Sequence, residues 1–326
     1  MIMKKVLLTL ACVFGMSITA SALTSSAVLL QHNGNITTYA AEDIGSAMAA
    51  AADGDEVFLN EGKYPGFTIS KAIKIKGAGQ TTVIDGSITI DNSGDTSIGD
   101  IFIGFMKINN DIIGKSSVNK LNLLQCNFRY YKQEDGVIDE VFVDRCETSI
   151  LYLDATYKET VTIRDVTTTT THPRTKKFTA INSKISVSQG VSVYSAYPPY
   201  TIVNCYVSFS YNNYGLTVIN SITGNSGNVY YSELINCSYR TITANTNKLT
   251  GCYQSDTYGS DIVEWSIYKL EDNNYFGNDG TVIGPLGGTR NTPFTLVPVV
   301  PRVTESTLKV DPTNKKLDVT VTVSPK

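Results

Sequence analysis

Tyrosine is the residue type best placed to do chemistry in this chain. Nineteen occur in all, and Tyr194, Tyr197, Tyr200, Tyr206, Tyr211, Tyr214, Tyr230, Tyr231, Tyr239, Tyr253 and Tyr258 crowd the second half. An aromatic face stacks on a sugar ring while the hydroxyl hydrogen-bonds, so an exposed row of them suits a glycan. The plainer role is strand filling, because Tyr fits a pleated surface. A second feature is the polar stretch from Thr167 to Lys177, which gathers His172, Arg174, Lys176 and Lys177. It reads as a solvated loop, with a substrate-binding loop as the sharper alternative. Tyr194, Tyr197, Tyr206, Tyr214 and Tyr253, with Arg174 and Lys176, are therefore the candidate ligand contacts. No residue stands out as catalytic.

Composition closes several other routes. Two histidines leave no basis for a His-rich metal site. Calcium needs several converging carboxylates, and the acidic residues are scattered, so no metal or other cofactor is expected. A net charge of −3 offers no attraction to nucleic acid or to an anionic membrane. Charged residues make up 17%, against roughly 25% in an average soluble protein. Thr, Ser, Asn and Tyr take their place, which favours strands and tight turns. With 326 residues, 42% of them hydrophobic, the chain can build an ample core.

The N-terminus reads as an export leader. Lys4 and Lys5 precede an apolar run from Val6 to Ile18, and Ala20-Ser21-Ala22 is a small-residue cleavage site, so residues 1–22 are a signal peptide. The apolar run is too short for a transmembrane helix and no second one follows. The lesser alternative is lipid anchoring at Cys12, after Leu10-Ala11. The expected location is outside the cytoplasm: periplasmic, on the outer surface, or secreted. Past the leader the cysteines are Cys126, Cys146, Cys205, Cys237 and Cys252, an odd set that argues against a complete disulfide framework. They read as small buried apolar groups.

Those cysteines also mark a repeat. Cys126 closes Leu121-Asn-Leu-Leu-Gln-Cys126; twenty residues on, Val141-Phe-Val-Asp-Arg-Cys146 matches it, and then Val161-Thr-Ile-Arg-Asp-Val166. Met106 stands one step earlier, and the marker recurs at Ser183, Cys205, Ser221, Cys237 and Cys252. Three positions before the markers from Cys126 onward lie Leu123, Val143, Ile163, Ala180, Ile202, Val218, Leu234 and Leu249. A strand with period two, recurring once per coil, is the signature of a solenoid. Just before the later markers come Asn182, Asn204, Asn220, Asn236 and Gly251. Asn and Gly enter the left-handed region most cheaply, so a bend in that conformation is expected in every coil, with the Asn side chains forming a ladder. A leucine-rich horseshoe shares the fragment L-x-L-x-x-C, but these repeats lack its leucine-rich helical half.

The first coils carry a resemblance. Asp53-Gly-Asp-Glu-Val-Phe-Leu-Asn-Glu-Gly-Lys-Tyr-Pro-Gly-Phe67, Ile73-Lys-Ile-Lys-Gly-Ala-Gly79 and Thr82-Val-Ile-Asp-Gly86 resemble the opening of pectin-lyase-like right-handed parallel β-helices. The expected fold is all-β: a right-handed parallel β-helix over residues 23–288, with Ala41 to Ala52 as an N-terminal capping helix. Residues 289–326 are a Pro-rich linker and a C-terminal hairpin of Thr307 to Val310 and Leu317 to Val323 around Asp311-Pro-Thr-Asn314. The hairpin is expected to cap the open edge, with partner docking by strand addition as the alternative.

That resemblance implies polysaccharide lyases, polygalacturonase-like hydrolases and catalytically silent surface proteins, so fold decides no function. The hydrolases use an Asp-Asp pair and a Gly-His-Gly motif, both missing here; Arg174-Thr-Lys176 matches their Arg-x-Lys alone. A lyase must neutralise a uronate carboxylate with Ca²⁺ or Arg and remove the C5 proton with a base. Arg129, Lys132, Arg145, Arg164, His172, Arg174, Lys176 and Lys177 are its cationic candidates. The twenty-residue step stacks Asp144 on Arg164 and Arg145 on Asp165, which reads as two crossed charge pairs on an exposed face. The expected protein is therefore an exported bacterial surface or periplasmic β-helix that binds a polysaccharide or cell-surface protein without catalysis. A polysaccharide lyase on an acidic polymer, with Ca²⁺ as its cofactor, is the alternative, and a structural spacer the third.

Overall fold

The computed structural model describes residues 26–94, 96–152, 160–172, 175, 177–187, 200–210, 212–224, 229–239, 246–254, 280, 302–311 and 316–324. The expected leader with Cys12, and Tyr194, Tyr197, Arg174 and Lys176, lie outside the described residues. Strands dominate, and they stack in parallel as the coils of a β-solenoid. One inward column runs Val57, Ile75, Ile103, Leu123, Val143, Ile163, Ala180, Ile202, Val218, Leu234 and Leu249 in register. The residues three before the sequence marker thus stack one on another, residue for residue. All but the terminal Leu249 are buried, which gives each coil an apolar contribution to one continuous core.

The bend beside this column is left-handed in coil after coil. Phe105, Gln125, Arg145, Asp165, Asn182, Asn204, Asn220 and Asn236 have φ between 48° and 62°, and Gly251 has φ 64°. From Arg145 to Asn236 each of these residues donates its backbone N–H to a carbonyl of the next coil at 2.8–3.1 Å. The Asn ladder shows one side-chain rung, Asn236 Nδ2 to Asn220 Oδ1 at 3.4 Å. Earlier coils place Phe, Gln, Arg and Asp at the same bend, so the backbone geometry outlasts the residue preference.

The marker residue next to the bend has a polar job. The N–H of Cys126 is accepted by Cys146 Sγ at 3.4 Å, that of Val166 by Ser183 Oγ at 3.1 Å, that of Ser183 by Cys205 Sγ at 3.4 Å, and that of Cys205 by Ser221 Oγ at 3.0 Å. Each accepting side chain also donates to the carbonyl two residues before it. Cys and Ser suit the column because both are small and both can give and take a hydrogen bond, so a buried N–H is satisfied.

The N-terminal end is capped by more than a helix. A turn of 3-10 helix, Ala41–Asp43, leads into α1 (Ile44–Ala50), which buries Ile44, Ala47 and Met48. Ahead of it, β1 (Ala27–His32) and β2 (Asn35–Ala40) form a hairpin around Asn33 and Gly34, both with positive φ. β1 lies antiparallel on β3 (Glu56–Leu59) and so blocks the first open strand edge. The strand Gly62–Ile69 docks here: the Tyr64 hydroxyl donates to the carbonyls of Ala27 at 2.9 Å and Asn60 at 3.1 Å. Burial pushes that phenol up to about 12. Gly66 and Gly86 meet at a bulge where a Cβ on Gly86 would lie 2.6 Å from the Gly66 nitrogen, so that pair of coils needs both glycines.

At the far end, Arg302–Asp311 pairs antiparallel with Lys316–Ser324. The two strands form a sheet of their own and pair with no described strand of the solenoid. Thr167–His172, expected as loop, is instead a strand paired with Glu147–Tyr152. A run of β-branched threonines favours that, and Thr168 and Thr171 are buried. Among the described residues no helix is long and apolar enough to cross a membrane.

Candidate functional site

In the later coils a short third sheet pairs Asn213–Tyr214 with Val229–Tyr230, which places Tyr214 directly against Tyr230. Their rings are 5.3 Å apart and inclined by 27°; the ring of Tyr231 lies 6.3 Å from Tyr214 at 21°. This face repeats the bend seen elsewhere. Gly215 has φ 68° and Tyr231 φ 50° at the equivalent place in the next coil. The N–H of Leu216 is accepted by Ser232 Oγ at 2.9 Å, and that of Ser232 by Asn247 Oδ1 at 2.9 Å. The bend suits Gly, and a larger L-residue there costs about 1–2 kcal/mol. Tyr231 occupies it nevertheless and is 64% exposed. The other large hydrophobic side chain exposed among the described residues is Ile36, at 39%.

The remaining expected tyrosines divide. Tyr206 is half-buried, and burial pushes its phenol up. It does share a column with Tyr253, as their equal offset from the marker suggests, but Ile222 and Ser238 stand between them. Those two tyrosines therefore form no continuous row. Tyr200 is core: its hydroxyl donates to the Thr175 carbonyl at 3.1 Å, and its ring packs 5.4 Å from Phe178. Tyr214 is the expected contact that joins a cluster, half-buried itself like Tyr230, beside the exposed Tyr231. Tyr230 and Tyr231 belong to the crowded tyrosines but not to the candidate contacts, although the step of 16 from Tyr214 to Tyr230 equals the marker steps from Cys205 to Ser221 to Cys237.

Four of the cationic candidates, Arg129, Lys132, Arg145 and Arg164, are held by carboxylates. Arg129 grips Asp111 with Nε at 2.9 Å and Nη2 at 3.0 Å and lies 4.5 Å from the Tyr130 ring centre. Lys132 pairs with Glu134 at 3.1 Å. Asp144, 2% exposed, receives Arg164 bidentately at 3.1 and 2.7 Å and Arg145 at 3.5 Å. The Asp144 hydrogen bond raises the Arg164 pKa. The Asp144–Arg164 member of the two expected pairs is thus present, and Arg145 reaches the same carboxylate. Cations committed this way are not free to neutralise a substrate carboxylate.

A polar groove of about 360 Å³ lies elsewhere, between the turns that carry Asp91, Lys115, Ser116 and Asp135. Its polar atoms bond one another: Ser116 Oγ accepts the Asn92 N–H at 2.7 Å, and Asp135 accepts the Gly136 N–H at 2.7 Å. Among the described residues no three His, Cys, Asp or Glu side chains cluster as a metal site would require. Comparison with family models, with curated proteins and with solved structures finds no match for this chain.

Proposed function

We propose that the chain is an exported bacterial surface or periplasmic protein that binds a glycan or a cell-surface protein without catalysis, in the manner of the silent pectin-lyase-like β-helices its first coils resemble. The observation that carries this reading is Tyr231. A tyrosine stands 64% exposed, at a bend that is Gly215 one coil earlier, beside the Tyr214 and Tyr230 rings. Backbone strain kept at an exposed aromatic supports a binding role, and Tyr is a frequent anchor of glycan and protein contacts. The carboxylate-bound Arg129, Arg145 and Arg164 weigh against the lyase.

The test presents the leaderless chain, with and without Ca²⁺, to a panel of neutral and acidic polysaccharides. It follows retention of intact polymer and the ultraviolet absorbance of an unsaturated uronate. Retention without new absorbance, lost in Tyr231→Asn, is the expected result. New absorbance establishes elimination chemistry and overturns the reading.

A further inference from the structure

The marker column accounts for the odd number of cysteines. Cys205 is stacked between Ser183 and Ser221, bonded to both. The other four fall in two directly stacked pairs, Cys126 with Cys146 and Cys237 with Cys252. The pairs differ in access. Cys126 and Cys146 are buried, whereas Cys252 is half-exposed above a fully buried Cys237.

We propose that Cys237 and Cys252 form an oxidisable dithiol site that reacts with a disulfide oxidant and closes into a cystine linking two successive coils. In-register residues of adjacent parallel strands lie about 4.8 Å apart, inside the roughly 4.4–6.8 Å Cα separation a disulfide spans. The flanking register, Ile235 on Thr250 and Ser238 on Tyr253, sets Cys237 directly beside Cys252. Cys252 Sγ bonds the Leu234 carbonyl at 3.2 Å and Cys237 Sγ the Val218 carbonyl at 3.3 Å, so a small side-chain rotation turns one sulfur onto the other.

The accessible sulfur is also the reactive one. The hydrogen bond from Cys237 brings the Cys252 thiol down to about 6, while burial pushes Cys237 well up. The Cys252 thiolate attacks one sulfur of the oxidant; their bond forms, the oxidant's S–S bond breaks, and its first half leaves as a thiolate that takes a proton. Cys237 then gives up its proton and attacks Cys252, releasing the second half as a thiol. The protein pair loses two electrons and two protons, and the oxidant becomes two thiols.

The experiment incubates the folded leaderless chain with oxidised glutathione, blocks free thiols and maps the unreduced digest. The expected outcome is a peptide joining Cys237 to Cys252, with Cys126, Cys146 and Cys205 still free. Cys237→Ser traps glutathione on Cys252, and Cys252→Ser abolishes both linkage and adduct. Serine already occupies this column at Ser183 and Ser221, so both variants keep the fold. Failure to link under oxidant that links a control dithiol overturns the proposal. Linkage of Cys126 to Cys146 at the same rate does so too, as does adduct formation spread evenly over the five thiols.

Discussion

Replacing Asn220 by Ala and by Gly should produce stabilities in the reverse of the usual order. At an ordinary strand position Gly is worse than Ala by roughly 0.5–1 kcal/mol, because it gives up more chain freedom on folding. Asn220 sits at φ 49° and donates its N–H to the Ile235 carbonyl at 2.9 Å, so its backbone cannot relax without breaking the bend ladder. A Cβ in that conformation costs Ala about 1–2 kcal/mol that Gly avoids. Both variants lose the 3.4 Å bond from Asn236, so that loss cancels between them. Taking the central values of the two effects leaves Asn220→Gly more stable than Asn220→Ala by about 0.75 kcal/mol. Thr217, three residues earlier and outside the positive-φ set, is the control, with Ala ahead of Gly. Urea midpoints of the four variants decide it. Ala ahead of Gly at both positions would refute the claim that left-handed bends organise the coils.

Three further outcomes are expected. Arg164→Met leaves the buried Asp144 carboxylate with Arg145 alone at 3.5 Å; it should lower stability by about 2 kcal/mol, and Asp144→Asn in the same chain should recover part of that, read by urea denaturation. Burial raises the Glu56 pKa, but Lys76 at 2.7 Å and Lys74 at 3.2 Å outweigh it and hold the group below 4.5. Its pairs therefore contribute, by at most about 1 kcal/mol, above that pH and lose the contribution as pH falls through the depressed value. A pH titration of thermal midpoints should show the acid loss blunted in Glu56→Gln. Cys205→Ser should be nearly neutral, because Ser does the same work one coil either side. Cys205→Val strands the Ser183 N–H and should cost about 1–2 kcal/mol more by denaturant midpoint.

The solenoid was legible because one apolar column must recur once per coil, and Leu123 through Leu249 keep that spacing whether the coil has fifteen residues or more. The Asn182 to Gly251 series announced the left-handed bend for the same reason. Phe105, Gln125 and Arg145 did not: these residues carry no preference for positive φ, whereas Asp165 is of a type that tolerates it. The capping hairpin had a readable signal in Asn33-Gly34, the dipeptide that best fits a two-residue turn. The alanine pattern of α1 is the stronger signal at this end of the chain. Thr167 to His172 looked like loop because its residues are polar, whereas their β-branching and hydroxyls satisfy strand packing. The tyrosine cluster was half legible. Equal spacing marks Tyr214 and Tyr230 as neighbours, but which side of the coil carries them depends on where the bends fall.

The most direct test of the binding account compares wild type with Tyr231→Asn in ligand retention and in stability. Asn relieves the bend by up to about 1–2 kcal/mol and gives up an aromatic contact of about 0.5–1.5 kcal/mol, so the fold should hold within about 1 kcal/mol. Loss of polysaccharide or partner retention at unchanged stability is the predicted result. Retention that survives Tyr231→Asn and the Tyr214→Ala, Tyr230→Ala pair, in chains that remain folded, would contradict it.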